Sequence, residues 1–297
     1  MPNGIIIIDK PQEWTSMDVC AKLRRIFGER RVGHAGTLDP MATGVLPVFV
    51  GRATRAVEFA ERGSKVYETV LRLGQVTDTQ DVTGTVLEEH PVTVGRKELE
   101  DVLPQFTGEI LQVPPMYSAL KINGQKLCNL ARKGKTVERP ARPITIFELD
   151  VLEQLNDTDY HMRVRCSKGT YIRTLCHDIG MALGCGGTMA ELRRTEAAGF
   201  ALAQAVTMEQ LLEAKEQGRE QELLLEVDAY FSNYPECRIS GEAERRCRNG
   251  NSFFSAGEDG MFRVYGEAGE FLMLGQRNGG TMTTVKSFFA PPEQKGS

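Results

Sequence analysis

The sequence predicts a mixed α/β (α+β) chain, one large domain followed by a small β-rich one. Three observations carry this expectation. The length of 297 residues, 41% hydrophobic and 26% charged, can bury a large core and leaves room for a second, smaller one. Segments of strand period alternate with segments of helical period as far as about residue 200. Beyond Tyr234-Pro235, short apolar runs are separated by Gly250, Gly257, Gly260, Gly266, Gly269 and Gly279-Gly280, the punctuation of small strands joined by turns. The domains are therefore expected at 1–235 and 236–290, with 291–297 a disordered tail.

Taken in order, the apolar run 4–8 reads as a buried strand. Asp9-Lys10 follows it, and it lacks the cationic start and cleavage site of a signal peptide. No apolar run approaches the roughly 20 residues of a membrane span, so the cytoplasm is the expected compartment. Thr15-Ser16 caps an amphipathic helix with Val19, Leu23 and Ile26 inward and Lys22, Arg24 and Arg25 outward. Residues 45–50 read as an apolar strand, 54–60 as the start of a helix, and 65–74 as an alternating strand. A polar loop at 77–81 and a short strand at 84–87 follow, then a solvent-facing helix at 96–106. The segments 144–155 and 160–166 pair as a hairpin, 175–183 is a helix and 184–187 a tight turn. One acidic helix is expected over 209–227.

The formal net charge is −4, from 36 basic and 40 acidic side chains, so the chain is not a uniformly basic nucleic-acid binder. Its charge is nevertheless segregated. Acid concentrates at 209–228, and base at Lys22, Arg24, Arg25, Arg30 and Arg31 and again at Lys121, Lys126, Arg132, Lys133, Lys135, Arg139 and Arg142. Such a distribution permits an RNA-binding face and equally suits solvated helix faces. The seven cysteines form no C-x-x-C pair, so neither a disulfide framework nor a zinc knuckle is indicated, and no metal site is expected.

The most informative stretch is Gly33-His34-Ala35-Gly36-Thr37-Leu38-Asp39-Pro40-Met41-Ala42-Thr43-Gly44-Val45-Leu46-Pro47. It is too broken for a regular helix or strand. Pro40 fixes its own φ and biases Asp39 towards an extended backbone. Asp39 either caps a helix or turn beginning at Pro40 or presents its carboxylate from a rigid loop. The two readings are compatible.

This run resembles the catalytic motif of the TruB family, the bacterial tRNA pseudouridine-55 synthases, and the resemblance extends over about 5–200. Asp9-Lys10-Pro11 with Thr15-Ser16 resembles DKPxGxTS, with Glu13 where glycine is usual. Residues 65–74 resemble KxYxxxxxLG, 112–121 resemble PPxYSAxK, 167–175 resemble SxGTYIRxL and 190–195 resemble the start of AxLxRTxxGxF. The basic stretch 122–143 is similar to the family's RNA-gripping insertion, with Cys128 where tyrosine is common. The resemblance implies a large, mixed, mostly antiparallel sheet and a small C-terminal β-barrel of the PUA type. It assigns Asp39, Tyr67 and Arg173 to catalysis and His34, Tyr171, Leu192 and Lys10 to substrate binding. Tyr171 and Arg173, two apart, share a face if the backbone there is extended.

The implied reaction moves uracil from an N1 to a C5 link on C1′ of the ribose. It needs no redox partner or cofactor, in keeping with the lack of a dinucleotide or P-loop signature. The implied partner is the tRNA T stem-loop, bound by a monomer with no obligatory protein partner and no membrane. A guide-RNA-dependent synthase, an RNA-binding protein without catalysis, and a Mg²⁺-dependent phosphoryl acceptor at Asp39 are the rival readings.

Overall fold

The structure, a computed structural model, describes residues 1–118, 120–122 and 124–289, with Lys126 by its backbone alone. Ala119 and Asn123 of the expected loop and insertion, and the expected tail 291–297, lie outside the described residues.

A nine-stranded sheet organises the larger part. Its main path runs Gly4–Lys10, Thr43–Val50, Gly187–Ala197, Lys65–Leu73, Asp159–Cys166, Arg142–Gln154 and Gly108–Gln112. Val32–His34 adds to Thr43–Val50, and Phe200–Ala201 to Gly187–Ala197. Every pairing is antiparallel except that of Gly187–Ala197 with Thr43–Val50. That parallel junction sets Arg193 opposite Thr43 and Arg194 opposite Gly44. It is how residues 150 positions apart come to one site.

The four isoleucines of Gly4–Lys10 are at most 2% exposed, because Ile5 and Ile7 enter one core cluster and Ile6 and Ile8 another. A continuous apolar run is what a strand covered on both faces requires. The helix Ser16–Phe27 starts in a capping box: Asp18 N donates to Thr15 Oγ1 at 3.1 Å and Thr15 N donates to the Asp18 carboxylate at 2.8 Å.

Three expectations change. The segment 96–106 is a helix and a 3₁₀ turn, but Leu99 and Val102 are buried in the core cluster, so only one face meets solvent. The acidic segment 209–227 is not one helix: Met208–Glu216 ends before Gly218, whose φ of +69° is left-handed. Two 3₁₀ turns, Glu220–Leu223 and Val227–Phe231, follow. Only Met208 and Leu211 are buried in that helix, and no apolar stripe continues to hold further turns. Finally, 171–173 is not extended. Tyr171 caps the helix Ile172–Ala182, inside which Arg173 sits.

The C-terminal segment forms a separate five-stranded sheet, a curled half-barrel, in the order Glu236–Arg238, Gly260–Tyr265, Phe271–Asn278, Thr281–Ser287, Phe253–Phe254. A helix, Gly241–Arg248, interrupts the expected run of strands. Its only buried residue is Cys247, too little to announce a helical period in the sequence. An aromatic seam of Phe59, Tyr230, Phe231, Phe271 and Phe288 joins this sheet to the larger part. Arg52 donates to Phe288 O at 2.8 Å and Arg55 to Ser287 O at 2.9 Å across the same junction.

Candidate active site

The loop carrying Asp39 is fixed at several points by groups from elsewhere in the chain. Gly44 has φ +101°, and a Cβ there would lie 2.2 Å from Arg194 O, so only glycine fits. Ser16 Oγ accepts from Leu38 N at 2.9 Å, and Ala42 N donates to Asp39 O at 3.1 Å, closing a turn over Pro40-Met41. No helix begins at Pro40. The Asp39 carboxylate faces Arg173 Nη2 at 2.9 Å instead.

Arg173 is buried and fully engaged. Nη2 also donates to Tyr117 O at 2.8 Å, while Nη1 donates to Thr79 O at 3.2 Å and to the Asp81 carboxylate at 3.3 Å. One guanidinium therefore bridges two carboxylates, Asp39 with 40% of its side chain accessible and Asp81 with 5%. Burial is the largest influence on Asp39 and raises its pKa. Arg173 and Lys10 oppose burial, Asp81 adds to it, and the balance lies above the ordinary carboxylate value.

Asp39 opens onto a cavity of about 650 Å³ walled by Tyr67, Tyr171, Leu192, Arg173 and Arg194. Tyr67, 7% exposed, projects from the strand Lys65–Leu73. Burial raises its hydroxyl pKa, and the neighbouring Arg194 guanidinium pulls it back. Gln112 clamps the backbone of Tyr171, accepting from its N at 2.9 Å and donating to its O at 3.0 Å. Five cationic side chains, Lys65, Arg142, Lys168, Arg173 and Arg194, line the cavity against two carboxylates, Asp39 and Glu61. Such a lining favours an anionic ligand with an apolar moiety. A groove of about 1240 Å³ continues from Asp39 past His34 to Lys121, Arg132 and Lys133 of the basic insertion.

The structure thus gathers Asp39, Tyr67, Tyr171, Arg173 and Leu192 at one cavity. His34 stands apart, bordering the groove. Its Nδ1 is buried without a partner among the described residues, and burial first, then Arg194, lowers its pKa and favours the neutral ring. Lys10 faces neither space: it is 0% exposed, and its ammonium donates to the carbonyls of Trp14 at 2.6 Å, Pro11 at 2.8 Å and Pro40 at 3.3 Å. Burial brings its pKa down to about 8. Lys10 supports the loop from beneath, and contact with a substrate would require breaking those bonds.

Two further residues stand at the site, Asp81 and Arg194. Asp81 was present in the sequence only as a charge within the polar loop 77–81, whereas Arg194 holds the arginine position of the AxLxRTxxGxF match but was given no role by it. Among the described residues, no group of three or more His, Cys, Asp or Glu side chains could hold a metal ion, and no helix is long and apolar enough to cross a membrane.

Comparison with known proteins places the chain in a family. A family model for the N-terminal domain of TruB family pseudouridylate synthases matches residues 24–172. One for the C-terminal domain of tRNA pseudouridylate synthase B matches 173–232. The chain is 45% identical over 279 residues to tRNA pseudouridine synthase B of Pseudomonas putida, covering 92% of this chain and 91% of that one. It is 40% identical over 283 residues to the protein of the same name from Clostridium novyi, covering 93% and 96%. Among solved structures, an H/ACA RNP bound to a substrate RNA containing 2′-deoxyuridine aligns with a TM-score of 0.71 at 25% identity, covering 97% of this chain and 86% of that one. A Cbf5-Nop10-Gar1 complex aligns at 0.72 and 26%, covering 97% and 85%. The chain belongs to the TruB family of pseudouridylate synthases.

Proposed function

We propose that this enzyme converts uridine 55 in the T-loop of tRNA to pseudouridine, with Asp39 as the catalytic carboxylate. The observation that carries the proposal is the Asp39–Arg173 pair, presented to a cavity walled by two tyrosines and a leucine. The target base is stacked inside folded RNA and must be extruded, at a cost of a few kcal/mol. Stacking on Tyr67 returns about 1–3 kcal/mol, and Tyr171 and Leu192 close the pocket. His34, neutral and bordering the groove, suits the stacking position that the base vacates.

The C1′–N1 bond breaks, C1′–C5 forms, and the proton on C5 leaves as the ring regains its unsaturation. Departing uracil spreads its charge over two carbonyls, so a single carboxylate suffices where glycoside hydrolysis needs two. Ionised Asp39 either attacks C1′ or takes the C2′ proton. Arg173 keeps it ionised against burial in either case.

Residues 1–235 form the catalytic unit in this reading, and 236–290 a PUA-like RNA-contacting unit. The insertion 122–143 grips the phosphate backbone. The protein acts in the cytoplasm as a monomer without guide RNA, cofactor or obligatory protein partner. The test uses purified protein alone with unmodified tRNA labelled with tritium at C5 of uridine. Tritium release with pseudouridine mapped to the T-loop is expected, and Asp39→Asn should slow it more than about 10⁴-fold, as removing the central group of a catalytic unit does. Release only on addition of a guide RNA would favour the guide-dependent reading, and full-speed Asp39→Asn would end the assignment of Asp39.

A further inference from the structure

We infer that Arg194 is a positioning residue that locks the Asp39 loop and the Tyr67 hydroxyl into one register; this rests on the roles proposed above for those two residues. Arg194 is 0% exposed and heads the largest fully buried side chains of the protein. A guanidinium so placed needs partners, and its partners are informative. Nε donates to Val45 O at 2.8 Å and Nη2 to Gly36 O at 2.9 Å. Those carbonyls lie on either side of Asp39, one before the loop's sharpest turns and one after them. The side chain is a staple across the mouth of the loop.

Its backbone holds the same loop from a second side, because Arg194 pairs with Gly44 at the parallel strand junction. The third nitrogen, Nη1, is buried and donates to no group among the described residues. It lies beside Gly36, whose added Cβ would sit 3.2 Å away, and the guanidinium is near enough to Tyr67 to draw its hydroxyl pKa down against burial. Tyr67 lies directly opposite Arg194 across the pair of strands Gly187–Ala197 and Lys65–Leu73. A guanidinium held by two backbone carbonyls is therefore fixed in the wall of the Asp39 cavity that it shares with Tyr67. The neighbouring Arg193 pairs with Thr43 at the same junction, but its side chain turns outward, to Asp9 at 2.7 Å and Thr43 Oγ1 at 3.1 Å, and reaches neither loop carbonyl nor Tyr67.

The experiment compares Arg194→Lys, which keeps a cation and a donor inside the fold, and Arg194→Gln, which keeps donors without charge. Asp39→Asn and Tyr67→Phe serve as controls. Each is measured for single-turnover rate and for tRNA affinity, and fluorotyrosine at position 67 reports its own titration by ¹⁹F resonance. Both variants should turn over at least about a hundredfold more slowly, the scale of losing one preorganised donor, with tRNA affinity within about threefold. In Arg194→Gln the position-67 hydroxyl should titrate at higher pH, and Arg194→Lys should restore most of that shift. Full-speed turnover in either folded variant overturns the inference. So does a slowed variant whose position-67 titration has not moved, since Arg194 would then be structural only. If instead the Asp39→Asn or Tyr67→Phe control runs at full speed, the underlying roles have failed independently of Arg194. Should Arg194→Gln not fold, Arg194→Lys and the titration in the parent protein decide alone.

Discussion

The Asp39 loop and the basic insertion face each other across one groove and are built by opposite rules. The loop's carbonyls and amides are taken by Lys10, Ser16 and Arg194, and its carboxylate by Arg173. Among the described residues of the insertion the one deep anchor is Leu127 at 1% exposure. Arg132, Lys133, Gly134, Lys135 and Thr136 beyond it are exposed. A carboxylate that must meet one atom gains from immobility. Cations that must follow a phosphate backbone gain from adaptability. The contrast suits the tasks proposed for the two regions.

The comparison breaks most visibly at Arg173. Arg173→Ala should lower the single-turnover rate by about 10²–10³-fold and leave tRNA affinity within about threefold. Its second effect has a definite sign. Arg173 lowers the Asp39 pKa against burial, so its loss raises that pKa further. The proposed reaction needs the ionised form, so the acid limb of kcat/KM should move to higher pH. A limb that stays in place, measured from pH 5 to 9, would separate Arg173 from the ionisation of Asp39.

Leu127→Ala tests the other side. In a packed core such a change costs about 2–5 kcal/mol, but here the loss should be taken locally, as undocking of the insertion. Global melting should fall by less than about 2 °C, while KM for tRNA rises about tenfold, equivalent to roughly 1.4 kcal/mol, and kcat stays within about threefold. A kcat loss as large as that of Arg173→Ala would make the insertion part of the rigid centre.

The same contrast explains what was legible. Asp39, Tyr67, Tyr171, Arg173 and Leu192 stand in motifs whose residue types match their chemistry, and the structure brings them to one cavity. Five of the nine strands were legible, Gly4–Lys10, Thr43–Val50, Lys65–Leu73, Arg142–Gln154 and Asp159–Cys166, whereas Val32–His34, Gly108–Gln112, Phe200–Ala201 and the central Gly187–Ala197 were not. Arg194 holds the arginine position of the AxLxRTxxGxF match, but its place as a buried brace of the Asp39 loop was not legible. It is one of two adjacent arginines, and strand alternation sends one inward and one outward. Only the register with Lys65–Leu73 and Thr43–Val50 decides which. Lys10 shows the converse: a lysine in a motif reads as a ligand-binding cation, and only the three carbonyls around it reveal a buttress. The division of 209–227 escaped because a densely charged segment carries no apolar period to show where helical turns stop.

The smallest expected effect lies at the edge of the rigid region, at Glu13. Its φ is +68°, the left-handed region, where a non-glycine residue is strained by about 1–2 kcal/mol. The cause is docking: Glu13 N donates to Pro40 O at 2.7 Å, the carbonyl that Lys10 also approaches, so the turn is pinned beneath Asp39. Glycine relieves the strain but enlarges the unfolded ensemble by about 0.4–1 kcal/mol. Glu13→Gly should therefore gain only about 0.5 kcal/mol, and turnover should not change. Glu13→Pro removes the donor and forces φ towards about −65°, so the turn must leave Pro40 and the Asp39 loop loses one support. Urea titrations of the two variants should move in opposite directions, with turnover falling only for proline. If proline were tolerated at full rate, the immobility of the Asp39 loop would owe nothing to this turn and would rest on Ser16, Arg173 and Arg194.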